Sequence, residues 1–277
     1  MTESAGTTFA PHLLAGRVAL VTGGGTGIGR GITLALARHG ADLALASRDR
    51  SHLEPTAAEV RALGRRALVC AMDVRDRPAV DAAVAETLET LGRIDVLVNN
   101  AAGNFLVRAA DLSENGWRAV VDIVLNGTFS MSQAVYPAMR ESGGGSIINI
   151  TTTYVTTGAP YMAHSGAAKA GVLNLTRSLA VEWAGEGIRV NAVAPGLVEG
   201  TEGARRLAES VGLVETYRRQ VPLGRLTRVD DVAGAVLFLL SPAAAHVTGV
   251  EITVDGGESL GVRYSVLGHR LSAKTQD

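Results

Sequence analysis

The chain has 277 residues, of which 47% are hydrophobic and 19% charged, and its formal net charge is -1. That length fits one α/β domain, the apolar share excludes a disordered chain, and the near-neutral balance leaves no basic field to attract a phosphate backbone, so no nucleic-acid partner is expected. A single cysteine, Cys70, excludes an intramolecular disulfide and a thiolate metal cluster, and no metal site is expected.

Residues 1–11 lack the basic-then-apolar pattern of a signal peptide. An apolar run over 17–21 reads as the first strand, and a helical pattern over 28–39 follows it across a glycine-rich string. Further strands are expected over 43–47, 67–72, 96–99, 146–151, 189–194 and 250–254, separated by helical patterns over 52–63, 77–91, 115–140 and 167–183. This alternation makes a series of βαβ units, because parallel strands need crossover helices. The expected fold is α/β, a Rossmann-type doubly wound parallel sheet covered on both faces, in a single domain over 1–277 with its core at about 14–260. Glycines 143–145 break a helix before a strand, and Pro195-Gly196 ends another strand. Residues 200–223 read as a polar-faced helical insertion suited to cover a substrate, and 261–277 as a polar tail. The run at 232–240 is too short to span a membrane, so no membrane partner is expected. The last residues, Thr275, Gln276 and Asp277, are not a Ser-Lys-Leu address, and a cytoplasmic location is the expectation.

The string Thr22-Gly23-Gly24-Gly25-Thr26-Gly27-Ile28-Gly29 follows a strand and opens a helix, the context in which backbone amides and a helix N-terminus receive a pyrophosphate. Gly23 is expected to allow the tight turn, Gly27 the approach of backbone to phosphate, and Gly29 close helix–strand packing. Thr22, Gly25, Thr26 and Ile28 complete this set of cofactor-binding candidates. After the second strand stand Ala46, Ser47 and Arg48, where an enzyme preferring NAD places a carboxylate for the ribose 2′-hydroxyl. A guanidinium suits a 2′-phosphate instead, so Ser47 and Arg48 point to NADPH.

With three residues between its first two glycines, the string resembles that of the short-chain dehydrogenase/reductase family, and further segments add to the likeness over about 14–260. Asn99-Asn100-Ala101-Ala102-Gly103 resembles the family's NNAG segment, Lys169 its ribose-binding lysine, and Pro195-Gly196 its turn beside the nicotinamide, with Leu197 and Val198 following. Asp73, with Val74 after it, matches the family's adenine-contacting acid. The resemblance implies Asn100, Ala101, Ala102, Lys169 and residues 195–198 as cofactor contacts, and a homo-oligomer, a tetramer, formed by the helices at 115–140 and 167–183. Val172, Leu173, Leu175, Leu179 and Trp183 give the second of these more apolar surface than one sheet-facing stripe needs.

The family's Tyr-x-x-x-Lys pair is broken here: Ser165 stands four residues before Lys169, and Thr152 holds the upstream serine position. A serine hydroxyl is a much weaker acid than a phenol. One branch shows this departure, the 2,4-dienoyl-CoA reductases with a related 2-enoyl-CoA reductase, and several strings resemble it. They are Asn104-Phe105 within 100–105, Asp122-Ile123-Val124-Leu125-Asn126-Gly127-Thr128, Ile150-Thr151-Thr152-Thr153-Tyr154, and Gly200-Thr201-Glu202-Gly203. Residues 164–168 and 240–244 lie closer to the 2-enoyl relative. The resemblance implies reduction of a conjugated carbon–carbon double bond in an enoyl or 2,4-dienoyl thioester, an acyl-CoA as small-molecule partner. Hydride addition would place charge on the thioester oxygen, which Tyr154 and Asn104 could stabilise as donors. Lys169 would hold the ribose, Ser165 would meet substrate or water, and Arg75, Phe105 and Thr152 would line the substrate side, with Arg75 and Arg108 as candidates for coenzyme A phosphates. Two other readings stay open: a ketone reductase with Tyr161 as proton donor, and a dinucleotide-binding protein with little catalysis. Asn126 is read as supporting a helix kink or proton relay, and His164 as a loop or interface residue.

Overall fold

A computed structural model describes residues 8–205 and 214–261. Seven strands, β1 (Val18–Thr22), β2 (Asp42–Ser47), β3 (Ala67–Ala71), β4 (Val96–Asn99), β5 (Gly145–Ile150), β6 (Ile188–Pro195) and β7 (Glu251–Val254), form one sheet in the order β3-β2-β1-β4-β5-β6-β7. Every pairing is parallel. The crossovers are α1 (Gly27–Arg38), α2 (Arg50–Ala62), α3 (Arg77–Leu91), a broken helix made of α4 (Glu114–Val121) and α5 (Gly127–Glu141), and α6 (Ala163–Glu182). Short α7 (Glu202–Ala204) and α8 (Val214–Gln220) lead to α9 (Val229–Leu240), and α10 (Glu258–Gly261) follows β7. Residues 206–213 of the expected cover and 262–277 of the expected tail lie outside the described residues.

Alternation along the strands builds two cores. Ala19 and Val21 of β1 face Ile32, Leu36, Leu53, Val232 and Val236, whereas Val18 and Leu20 face Val80, Met131, Val135 and Leu179. One face is therefore covered by α1, α2 and α9, the other by α3, α5 and α6. The expected strand spans match to within a residue or two. α9 was not expected as a helix: its apolar run reads as too short for a membrane but is a core helix packed against α1. Its start is fixed by Asp231, whose carboxylate accepts from the Arg228 backbone N–H at 2.7 Å.

Two differences matter for the site. The helix expected over 115–140 is interrupted by a π-helical turn, Asp122–Asn126, where Asn126 Nδ2 donates to Asp122 Oδ1 at 2.8 Å. The helix expected from 167 begins a turn earlier, at Ala163. Ser165 thus sits in a first helical turn, one turn before Lys169. The strand order reverses at β1, between β2 and β4, so the ligand crevice of such a sheet lies at the carboxyl ends of β1 and β4.

Candidate active site

The glycine-rich turn leaves the end of β1 with Gly23 at φ 65 and Gly27 at φ 51, a backbone region that side chains rarely enter. A Cβ on Gly29 would stand 2.0 Å from the Gly23 carbonyl oxygen, so the first turn of α1 packs directly on the loop. Gly25 has another reason to be glycine: a Cβ there would meet the His52 carbonyl oxygen at 2.1 Å, because the loop leans on α2. Asn100 clamps the same loop from β4. Its Nδ2 donates to the Thr22 carbonyl at 3.0 Å, and the amides of Asn100 and Ala101 both donate to Thr22 Oγ1 at 3.0 Å.

These residues open onto a cavity of about 500 Å³ lined by Gly23, Thr26, Ser47, Arg48, Asp73, Val74, Asn100, Ala101 and Ala102, all expected, and by Ala46, Asp49, His52, Met72 and Ile123, which were not. Ile123 reaches it from the π-helical turn. The glycine cradle, which a Cβ would fill, and the guanidinium at its far end fit a dinucleotide phosphate chain. A larger cavity, about 950 Å³, lies between Arg17, Gly144, Arg189 and His246. It opens at the amino ends of the strands, away from every expected site residue, and is not where such sheets bind cofactors.

Charge in the cofactor cavity is already partly paired. Arg75 Nη2 lies 2.6 Å from Asp73 Oδ2, and this hydrogen-bonded pairing holds the Asp73 carboxyl below its usual range despite some burial. Arg75, a candidate for the substrate side, is thus paired with Asp73, a candidate cofactor contact. Asp49, next to Arg48, caps α2 by accepting from Ser51 N at 2.8 Å and Ser51 Oγ at 2.6 Å, which depresses its pKa. That carboxylate is turned to its own helix.

On the substrate side, the strand end at Ile150 leads through Thr152 into a turn, Thr153–Val155, that presents Tyr154. Tyr154 Oη lies 3.0 Å from Ser165 Oγ, so the two hydroxyls expected in different roles form one pair. Lys169, one turn further along α6, is buried and donates from Nζ to the Ile150 carbonyl. Burial pulls its pKa down to about 8. Asn104 Nδ2 donates to Met162 Sδ at 3.3 Å, which joins the segment after β4 to the start of α6. Phe105 packs edge-on against His164, ring centroids 4.5 Å apart. Thr152 is half-buried at the root of the Tyr154 turn. His164, expected in a loop or interface, is a fully buried residue of α6 instead.

Tyr161 is placed differently. Its ring is 55% exposed, its backbone takes φ 65, and its carbonyl accepts from Val107 N at 3.1 Å. It serves as a brace between two loops, while Tyr154 holds the hydroxyl pair. Beyond β6, Gly196 donates to the Val254 carbonyl at 3.0 Å and Leu197 N donates to Glu258 Oε2 at 3.3 Å. Burial raises the Glu258 carboxyl above its ordinary range, with Asp255 adding to the rise and the Leu197 bond opposing it. This anchor of the turn at 195–198 escaped the sequence reading, since a glutamate at the edge of a polar tail carries no local signal.

The family model described as enoyl-(acyl carrier protein) reductase matches residues 23–259. The chain is 46% identical to the peroxisomal 2,4-dienoyl-CoA reductase of Danio rerio over 250 residues, 90% of this chain and 83% of that protein. It is 42% identical to the probable 2,4-dienoyl-CoA reductase of Bacillus subtilis (strain 168) over 246 residues, 88% and 97% of the two chains. Among solved structures, the 3-ketoacyl-(acyl-carrier-protein) reductase of Brucella melitensis complexed with NADH superposes with a TM-score of 0.83 at 33% identity, covering 89% of this chain and all of that one.

Proposed function

Since the chain belongs to the short-chain dehydrogenase/reductase family, we propose that it uses NADPH to reduce a conjugated carbon–carbon double bond in an enoyl or 2,4-dienoyl thioester, an acyl-CoA. The observation that carries this reading is the Tyr154–Ser165 hydroxyl pair at 3.0 Å beside buried Lys169. When bound, a nicotinamide dinucleotide supplies the hydride. Reduction of a conjugated thioester by such a hydride would place negative charge on the thioester oxygen. A phenol held in place by Ser165 can donate to that oxygen without reorganising. The Asn104 amide is the second donor; a thioether sulfur is a weak acceptor, so exchanging Met162 Sδ for a charged oxygen favours the transition state. Lys169 orients the ribose and keeps positive charge near the hydroxyl pair.

Ser165 in the usual tyrosine position then has a physical reason. Ketone reduction needs an acid to protonate oxygen, whereas conjugate reduction needs the oxygen to stay an anion until carbon takes a proton from water or a nearby acid, and for the oxygen a positioned hydrogen-bond donor suffices. Among the described residues no helix is long and apolar enough to cross a membrane.

The experiment is Tyr154→Phe, which removes one hydroxyl. NADPH-dependent turnover of a 2,4-dienoyl-CoA should fall by roughly 10²–10³ with cofactor affinity nearly intact, as for a donor that acts in the transition state. Ser165→Ala should cost less, because the phenol remains. Near-normal turnover in Tyr154→Phe together with loss of activity in Tyr161→Phe would overturn the assignment.

A further inference from the structure

His164 is the second residue of α6 and directly precedes Ser165. None of its surface is exposed, yet neither Nδ1 nor Nε2 has a hydrogen-bond partner. A neutral imidazole carries one donor and one acceptor, and burying both unpaired costs stability that an apolar ring of similar shape would not. Burial also lowers its pKa and no charged side chain opposes this. The Met162 carbonyl offsets part of the shift, though it lies outside hydrogen-bonding geometry for either nitrogen. A neutral, unpaired imidazole is thus kept where phenylalanine would pack at less expense to the fold.

We infer that His164 is a further substrate-recognition residue, whose ring nitrogen is kept for a hydrogen bond to the bound acyl thioester. This rests on the function proposed above. The place fits that role: the ring of Phe105 packs edge-on against the imidazole, Asn104 precedes Phe105 in the chain, and Ser165, the next residue of α6, pairs with Tyr154. Phe105 is itself 40% exposed and sits over Gly116, where an added Cβ would come within 3.1 Å of its ring. It has a free side toward solvent, and a shift of its ring as substrate enters would uncover the imidazole. An acyl thioester brings a carbonyl oxygen and, on its carrier arm, amides that both donate and accept, so either tautomer of His164 finds a complement. Recognition then draws on strain already present, since ligand binding satisfies a group that the empty protein leaves unmet.

The test uses the NADPH-loaded protein and a saturated acyl-CoA, which cannot be reduced, with calorimetry as the readout. His164→Phe and His164→Leu should keep or raise the melting temperature of the ligand-free protein. They should weaken acyl-CoA binding by about tenfold, the worth of one good hydrogen bond, and, in turnover of a 2,4-dienoyl-CoA, raise KM much more than they lower kcat. His164→Asn, which keeps a polar group near Nδ1, should recover part of the affinity. Wild-type affinity in His164→Phe would overturn the inference, leaving the ring as packing. So would loss of stability in both apolar variants, because the imidazole would then serve the fold. Failure of the unaltered protein to bind any acyl-CoA would instead bring down the proposed function, and this inference with it.

Discussion

Arg48 is the residue on which the proposed preference for NADPH rests. It lines the cofactor cavity, its neighbour Asp49 is committed to capping α2, and its charge acts on Asp73, whose own partner is Arg75. Arg48→Ala should therefore weaken NADPH far more than NADH, by about 1.5–3 kcal/mol for a charge-assisted bond to phosphate, as fluorescence titration of both cofactors would measure. Equal losses would contradict the 2′-phosphate assignment. Lys169 makes a second prediction. Its folded pKa is about 8 against an ordinary 10.5 because burial disfavours the ammonium. Below about 8 the folded and unfolded chains both carry the proton and burial works against the fold; above it the folded chain sheds the charge and that penalty fades toward 10.5. The cofactor-free Lys169→Met variant should melt above the unaltered protein near neutral pH, and the gap should close as pH rises past about 8. A gap that stayed constant over that range would count against a buried, titrating lysine. Ser165 and Lys169 were legible in the sequence because helical spacing fixes them relative to one another, whereas Tyr154, in the turn before α6, was legible only through the resemblance of the string at 150–154. His164 and Glu258 were not, since an unmet imidazole and a carboxylate that anchors a turn are properties of burial alone.

At the scale of elements, strands were read well because parallel strands buried on both faces are short, apolar and set off by glycine or proline. The π-helical turn at Asp122–Asn126 was visible only as a kink at Asn126. Its consequence is that Ile123 lines the candidate cofactor cavity and Gly103 packs on it, with a Cβ there 3.2 Å from Ile123 Cδ1. α9 was missed since its residues are apolar nearly all round, and a buried helix that lacks a polar face has no periodic signal. The junction of β1 with α1 gives the sharpest element-level prediction. Gly29→Ala would press a methyl against the backbone of Gly23 and the amide of Asn100. It should destabilise the protein by about 1–3 kcal/mol and weaken cofactor binding, which urea unfolding with and without NADPH would record. An unchanged midpoint would mean that the loop has room to move away.

For the whole molecule, association is the property least legible in the sequence. Of Val172, Leu173, Leu175, Leu179 and Trp183, the residues that suggested spare apolar surface, all but the half-buried Leu175 are buried within one chain. Phe129 on α5 and Val181 on α6 are the large apolar side chains these helices expose, at 43% and 83%. If copies pair through these helices in the proposed tetramer, Phe129→Asp combined with Val181→Asp should shift light-scattering mass toward the monomer; a variant of unchanged mass would exclude that face. The central claim, however, concerns which bond is reduced, and product analysis after mixing the protein with NADPH and a 2,4-dienoyl-CoA tests it most directly. The account predicts stoichiometric NADPH oxidation and a product that has gained two hydrogens at carbon while its thioester is intact. Oxidation of NADPH with a 3-ketoacyl-CoA to give an alcohol, with the dienoyl-CoA and a 2-enoyl-CoA both recovered unchanged, would contradict it.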